Sequence, residues 1–184
     1  MFSRLILVTG NENKLREARQ ILGIDIAQGK AKELHEIQTI SVAEAVRHKA
    51  EEAFEQLKTP LLVEDSGLVI NAWNGLPGAL IKWFEEAVHN EGILKMLGDE
   101  KDRRAVAQCY VALHNGKEVK VACGEVPGSI AFKPSGDTGF GWDSIFIPDG
   151  YEITYAEMPS EKKNSISHRK KALDAMKKII EAEP

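Results

Sequence analysis

What most constrains this chain is the way its short apolar runs are punctuated. Leu5–Val8 is an apolar run of strand length that breaks at once into TGNENK, Thr9–Lys14. Lys14–Leu22 then sets Leu15, Ala18, Ile21 and Leu22 at helical spacing. Ser41 with Glu44 forms a capping box, which opens a helix reaching about Leu57. Pro60–Val63 and Leu68–Ala72 read as two further buried strands. Asn74–Gly78 reads as a turn before a helix that ends near Leu97. Ala105–Leu113 and Glu118–Cys123 make a hairpin around Asn115-Gly116. A glycine-rich loop, Gly136–Gly141, precedes a strand at Ser144–Ile147, and the last helix carries Ala172, Leu173, Met176, Ile179 and Ile180 on one face. Strand and helix alternate early, and a hairpin follows. That order predicts an α/β protein with a mixed sheet.

A chain of 184 residues with 43% hydrophobic side chains suits one domain, 1–184, with a core of its own. A formal net charge of −4 argues against a surface built for duplex nucleic acid. No apolar run approaches the ~20 residues of a membrane span, and the run in MFSRLILVTG is too short for a secretory signal. The expectation is a soluble cytoplasmic protein with neither a nucleic-acid nor a membrane partner. A two-residue turn at Asn115-Gly116 would set His114 opposite Lys117, Cys109 opposite Ala122 and Cys123 opposite Gln108. The two thiols then lie on opposite faces of the ribbon, and no disulfide is expected.

Several segments carry chemistry. Thr9–Lys14 joins a strand to a helix whose free N–H groups and partial positive charge suit phosphate. It lacks the second glycine and the Lys-Ser/Thr pair of a Walker A loop, and a polar loop with a helix cap is the plain alternative. In VEDSGL, Glu64 and Asp65 end a strand, where ligand sites in α/β sheets gather. Alternation should send only one of the two into a given cleft. On the Ser41–Leu57 helix, Lys49 falls inside the stripe of Val42, Ala45, Val46, Ala50, Ala53 and Leu57, so it either snorkels or enters a polar pocket. Stepping back one turn from Ala172 and Leu173 places His168 and Arg169 on the buried face of the last helix. Either they face a ligand or Arg169 pairs with a nearby acid such as Glu161. In Gly136–Asp143, Phe140 and Trp142 offer rings for stacking and Asp143 an acceptor. Periodicity gives Lys82 and Lys163 no functional weight and reads Lys163 as solvated charge.

Together these segments resemble the inosine triphosphate pyrophosphatase, or Ham1-like, family. The matching stretches are TGNENK at 9–14, VEDSGL at 63–68, GLPGALIKWF at 75–84, GFGWDSIF at 139–146 and YAEMPSEKKNSISHR at 155–169. They occur in family order over nearly the whole chain. The resemblance implies an elongated two-lobed fold around a long mixed sheet, a nucleotide in the cleft between the lobes, and a homodimer. It implies Mg²⁺-dependent cleavage of ITP, dITP and XTP to the monophosphate and pyrophosphate. By position, Thr9, Gly10, Asn11, Glu12, Asn13 and Lys14 would hold phosphates, with Lys49 and Lys82 nearby. Glu36 and Asp65 would bind metal, Asp65 would also be the base, and Ser66 would touch substrate. Phe140, Gly141, Trp142, Asp143, Lys163, His168 and Arg169 would bind the nucleotide, mostly at its base. Glu64 stands where many relatives have Asp, which leaves open its share in the metal or base role. The rival readings are a Maf-type pyrophosphatase, whose N-terminal basic signature is absent, a nucleotide sensor without turnover, and an RNA-binding module, which the acidic charge disfavours.

Overall fold

The computed structural model describes residues 5–23 and 26–182. In chain order the elements are β1 (Ile6–Val8), α1 (Glu12–Leu22), β2 (Ala27–Gly29), α2 (Val42–Leu57), β3 (Leu61–Ile70), β4 (Pro77–Gly78), α3 (Ile81–Leu97), β5 (Arg104–His114), β6 (Val119–Ile130), β7 (Phe146–Pro148), α4 (Ser160–Ile166) and α5 (His168–Glu181). Among the described residues, seven strands form one mixed sheet in the order β2-β1-β3-β5-β6-β7, with β4 also on β3. β1 runs parallel to β2 and β3, while β3, β5, β6 and β7 are antiparallel neighbours. This is the α/β mixed sheet that the alternation of elements predicts.

β3 organises everything else. One of its edges pairs β5 from Leu61↔His114 to Ile70↔Ala105. The other edge is shared: Leu61–Val63 pair β1, and Leu68–Val69 pair β4. Between them, Glu64–Gly67 have no strand beside them among the described residues. The sheet is therefore split where the VEDSGL segment lies. The sequence reading of two strands, Pro60–Val63 and Leu68–Ala72, is corrected to one. The polar interruption at Glu64–Ser66 does not end the strand, because the β5 ladder carries the backbone through it.

Alternation along β3 sends Leu62, Glu64, Ser66 and Leu68 to one face and Leu61, Val63 and Asp65 to the other. α1 and α5 cover the first face, packing Leu15, Leu22, Leu173 and Met176 over Leu7, Leu62 and Val111. α2 covers the second face with Val46, Ala50 and Ala53 over Leu61, Val63 and Ala112. Further along the first face, α3 closes over Leu68, Ile70, Phe146 and Tyr155 through Ile81, Ile93 and Leu97. Asn11, Ser41 and Ser167 cap α1, α2 and α5 with their side-chain oxygens. The start of α5 lies directly on the sheet at Gly124, where a Cβ would come 2.2 Å from the His168 carbonyl oxygen. That contact aims His168 and Arg169 at β3.

Other sequence readings need adjustment. The hairpin loop spans Asn115–Glu118, so His114 pairs Val119, Cys109 pairs Gly124 and Cys123 pairs Tyr110. The Asn115 side chain accepts from the Lys117 and Glu118 N–H groups and widens the turn. The thiols still fall on opposite faces, and both cysteines are free. β6 runs on to Ile130, and residues 141–145 form a 3-10 turn before the short β7 rather than a strand. α3 is kinked at His89, whose φ is 57°. β2 is too short and polar to have been legible. Among the described residues, no helix is long and apolar enough to cross a membrane.

Candidate functional site

A cavity of about 970 Å³ opens at the split edge of β3. Its wall is drawn from the β1–α1 loop, β2 and the segment after it, α2, β3, the start of α3, the 140–143 turn and the start of α5. Such a crevice, beyond the carboxyl end of a parallel strand and at a break in strand order, is where open α/β sheets bind ligands.

Lysines and carboxylates meet at the end nearest α2. Lys49 leaves its apolar stripe and brings Nζ to 2.8 Å from Asp65 Oδ2 and 3.1 Å from Glu36 Oε1. Lys82 reaches the same Glu36 oxygen at 3.4 Å. Lys14 stands 3.5 Å from Glu64 and 4.0 Å from Asp65. Burial opposes the Lys49 charge, but Asp65 and Glu36 more than offset it, and its pKa is raised. Burial likewise opposes the Glu36 charge, and Lys49 and Lys82 nonetheless hold that carboxyl low. The Ser66 N–H donates to Asp65 Oδ1 at 3.0 Å and fixes that side chain.

Beneath α5 the charges are enclosed. Arg169 donates to Glu64 through Nε and Nη2 at 2.8 and 2.7 Å, and to Glu17 through Nη1 at 2.5 Å. Its Nη2 also donates to Ser66 Oγ at 3.2 Å. Lys163 Nζ lies 2.6 Å from Asp143 and 3.2 Å from Glu17. The result is a buried chain of charges, Glu64–Arg169–Glu17–Lys163–Asp143, in which each charge has a partner, as its burial demands. The Phe140 ring lies 4.7 Å from Lys163 Nζ and 5.4 Å from Arg169 Cζ. Burial pushes Glu64 up, yet Arg169 and Lys14 outweigh it and hold that carboxyl at about 2. Burial, then the neighbouring Arg169 and Lys163, pushes the His168 imidazole well below its usual value. That ring packs against Trp142 and Tyr155, and its Nδ1 has no hydrogen-bond partner among the described residues.

The structure brings most of the residues singled out in the sequence to this one cavity. Thr9, Gly10, Asn11, Glu12 and Lys14 line the cavity from one side, and Glu36, Lys49, Asp65, Ser66 and Lys82 from another. Phe140, Gly141, Trp142, Asp143, His168 and Arg169 complete the wall. Asn13 and Lys163 do not line it. The Asn13 N–H is taken by the Asn11 cap at 2.9 Å. Lys163, read from periodicity as solvated, is only 4% exposed and stands behind the wall. Glu161 is not the partner of Arg169; Glu64 and Glu17 are. Glu64 and Asp65 point to opposite faces of β3, and the missing edge strand leaves both residues beside one opening; the Glu64 carboxylate is nonetheless enclosed behind Arg169, and of the two side chains only that of Asp65 is open, at 16% exposure.

Glu17 and Glu85 escaped the sequence reading. Glu17 lies off the apolar stripe of α1, so periodicity hides its burial. The counter-charge that Arg169 and Lys163 demand is the one clue to it. Glu85 lines the cavity one turn after Lys82 on α3.

Residues 5–179 match the sequence profile of the Ham1 family. An inosine triphosphate pyrophosphatase of Scheffersomyces stipitis is 42% identical over 192 residues, covering 97% of this chain and 98% of the relative. Inosine triphosphate pyrophosphatase 2 of Trypanosoma cruzi is 44% identical over 177 residues, covering 95% of this chain and 90% of its own. A HAM1 protein from Coxiella burnetii has a TM-score of 0.87 at 30% identity, with 100% of both chains covered. A nucleoside-triphosphatase, or dITP/XTP pyrophosphatase, from Mycobacterium abscessus has a TM-score of 0.75 at 30% identity, covering 94% of this chain and 98% of that one. With the profile spanning nearly all of the sequence and relatives above 40% identity over their length, the chain belongs to the Ham1 family.

Proposed function

We propose that this protein hydrolyses ITP-type purine nucleoside triphosphates (ITP, dITP and XTP) to the monophosphate and pyrophosphate. The observation that carries the reading is the division of one cavity. Lys14, Lys49 and Lys82 converge with Glu36 and Asp65 at one end, and buried donors and rings stand at the other. The names of the relatives in Scheffersomyces stipitis and Trypanosoma cruzi support it.

The lysines and the Thr9–Lys14 loop face the triphosphate. Glu36 and Asp65 would hold Mg²⁺, which takes one or two carboxylates with phosphate oxygens and water. These residues fit that ion, because carboxylates from two separate segments already converge on one cation, the Lys49 ammonium. A bound Mg²⁺ neutralises phosphate charge and acidifies nearby water.

Asp65 is the base in this reading. Glu64 is sealed against Arg169 and held at about 2, whereas Asp65 opens on the cavity and is oriented by Lys49 and the Ser66 N–H. Asp65 takes the proton of the attacking water. The water oxygen bonds to the α phosphorus as the bond to the α–β bridging oxygen breaks, and pyrophosphate leaves with the electron pair. The lysines stabilise the charge that develops.

Selection of the base rests on the one Arg169 donor that the protein leaves uncommitted. Arg169 has five N–H donors, and four go to Glu64, Glu17 and Ser66. The one that remains pairs with the 6-oxo group of hypoxanthine or xanthine and confronts the 6-amino group of adenine. The reading includes a cytoplasmic homodimer, as the family resemblance implies.

The test is incubation with ITP and with ATP in the presence of Mg²⁺, followed by assay of the phosphate products. Pyrophosphate and IMP from ITP, with ATP much slower, are expected. Stepwise orthophosphate would replace the reading with a phosphatase. Tight ITP binding without turnover would replace it with a sensor. Chelation of the metal is expected to abolish turnover.

A further inference from the structure

The Thr9–Lys14 loop spends several of its own N–H groups. The Asn11 N–H donates to Thr9 Oγ1 at 3.1 Å, and the Asn13 and Lys14 N–H groups donate to Asn11 Oδ1 at 2.9 and 3.2 Å. A helix start offers such groups to an anion, and here they are taken. The Gly10 N–H is left over, with no acceptor among the described residues.

A residue of another strand aims that N–H. Gln28 of β2 lines the cavity, and its Nε2 donates to the Thr9 carbonyl oxygen at 2.8 Å. The Thr9–Gly10 peptide is trans, and a trans peptide holds its C=O and N–H on opposite sides. β1 lies between β2 and β3. Drawing the carbonyl towards β2 therefore turns the Gly10 N–H towards β3. The β1–β3 ladder has already ended at Val8↔Val63, so the N–H faces the unpaired edge at Glu64–Ser66, where Lys14 meets Glu64 and Asp65. Packing does not hold the peptide. Glycine turns freely about its backbone, and apart from its chain neighbours nothing among the described residues lies within 4 Å of where a Gly10 Cβ would stand. A flipped peptide would put the Thr9 carbonyl oxygen, an acceptor, where an anion has to sit.

We propose that Gln28 is a positioning residue for the phosphate chain: by holding the Thr9 carbonyl it presents the Gly10 N–H to a phosphate oxygen and keeps the carbonyl oxygen out of the anion site. The inference rests on the phosphate end given under Proposed function. Gln28 acts through the Thr9–Gly10 peptide, and its neutral amide does so without adding a charge to the site.

The experiment compares the wild type with Gln28→Leu, which has about the same bulk without the donor, and Gln28→Glu, which has the same shape with an acceptor in its place. Thermal melts and circular dichroism establish that each is folded. Heteronuclear NMR spectra of protein carrying labelled glycine are recorded with and without IMP, pyrophosphate and Mg²⁺, the products, which turnover does not consume. The signal missing from Gly10→Ala identifies the Gly10 amide. In the wild type that amide proton is expected to move downfield on binding, and in both Gln28 variants the shift is expected to be lost. Their kcat/KM for ITP is expected to fall by roughly 5- to 150-fold, the range for one lost polar contact, chiefly through KM. Competition by inosine, which has no phosphate, should be unchanged. A loss that weakens inosine as much as ITP makes Gln28 a structural residue and overturns the inference. So does a wild-type Gly10 amide that ignores the products, or a folded Gln28→Leu with wild-type kcat/KM. If Gln28→Leu does not fold, Gln28→Glu decides alone; if neither folds, Gln28 is structural and the inference is overturned. A wild type whose Gly10 amide responds to the products but which turns over no ITP overturns the proposed hydrolysis and leaves this inference standing. One that binds neither ITP nor its products overturns both.

Discussion

The two ends of the cavity solve opposite problems with the same residue types. At the α5 end, Arg169 and Lys163 are 2% and 4% exposed and locked to three carboxylates. At the α2 end, Lys82 is 55% exposed, Lys49 shares its charge between Asp65 and Glu36, and Lys14 stands 3.5 Å or more from its nearest carboxylates. Enclosed pairs hold a fixed geometry because either partner left alone is costly. Half-open pairs exchange partners cheaply, since each is worth little in water. A fixed pattern of donors suits reading a base. A loose set of charges suits a phosphate chain and a metal that arrive together and depart in pieces.

The largest expected effect sharpens the loose end. Asp65→Asn removes the proposed base, which is also a proposed metal ligand, and turnover of ITP should fall by ~10²–10⁴-fold or more. Its melting temperature should stay close to that of the wild type. If most activity survives, the base lies elsewhere.

Next, Arg169→Ala should break the fixed end in two ways at once. It takes the bidentate partner from buried Glu64 and leaves Glu17 with Lys163 alone, so unfolding in denaturant should show a loss of up to about 3–5 kcal/mol. It should also lower kcat/KM for ITP much more than for ATP. A stability loss with an unchanged ITP-to-ATP ratio would leave Arg169 as a structural residue only.

Acid should find the same end. Glu64 is held at about 2, against 4.5 for the free side chain. Its contribution, of order 3 kcal/mol, is present above pH 4.5 and is lost as pH falls from there through about 2. The acid limb of the stability curve should flatten in Arg169→Ala, because the largest of the charges that depress Glu64 is gone.

The smallest effect belongs to Lys49→Met. Methionine fits the stripe of α2, and the stranded carboxylates keep other partners, Glu36 with Lys82 and Asp65 with the Ser66 N–H, so the fold should persist. KM for ITP should rise while the fold persists. A protein that loses stability with normal ITP kinetics would move Lys49 to a structural role.

The sequence reveals these two ends unevenly. Lys49, His168 and Arg169 were legible because a charge inside an apolar stripe contradicts its own helix. Lys163 and Glu17 were not, because each lies where its local helix pattern is polar, and their burial comes from α1, α4 and α5 packing together. The strands of the sheet were legible where apolar runs are continuous. β3 was cut in two because its ladder partner, β5, is distant in sequence and carries the backbone through Glu64–Ser66. The hairpin register slipped because Asn115 binds Lys117 and Glu118 through its side chain, which a two-residue turn signal does not anticipate.

The undivided β3 also decides which parts of the molecule can yield. Its ladder to β5 runs unbroken past the cavity, from Leu61 to Ile70. Swinging the two sides apart would mean bending that strand and tearing its ladder. The segment from Lys30 to Glu36 lies in no ladder and is moored to α2 by side chains, with Gln56 accepting from the Lys32 N–H and Glu52 from the His35 N–H. Asp65 therefore rides on a fully laddered strand and Glu36 on a segment tethered by side chains. Entry and release of ligand are expected to move the 30–36 segment rather than β3. Amide deuterium exchange should register it as slow, nucleotide-independent exchange along β3 and faster exchange at 30–36 that nucleotide and Mg²⁺ suppress together.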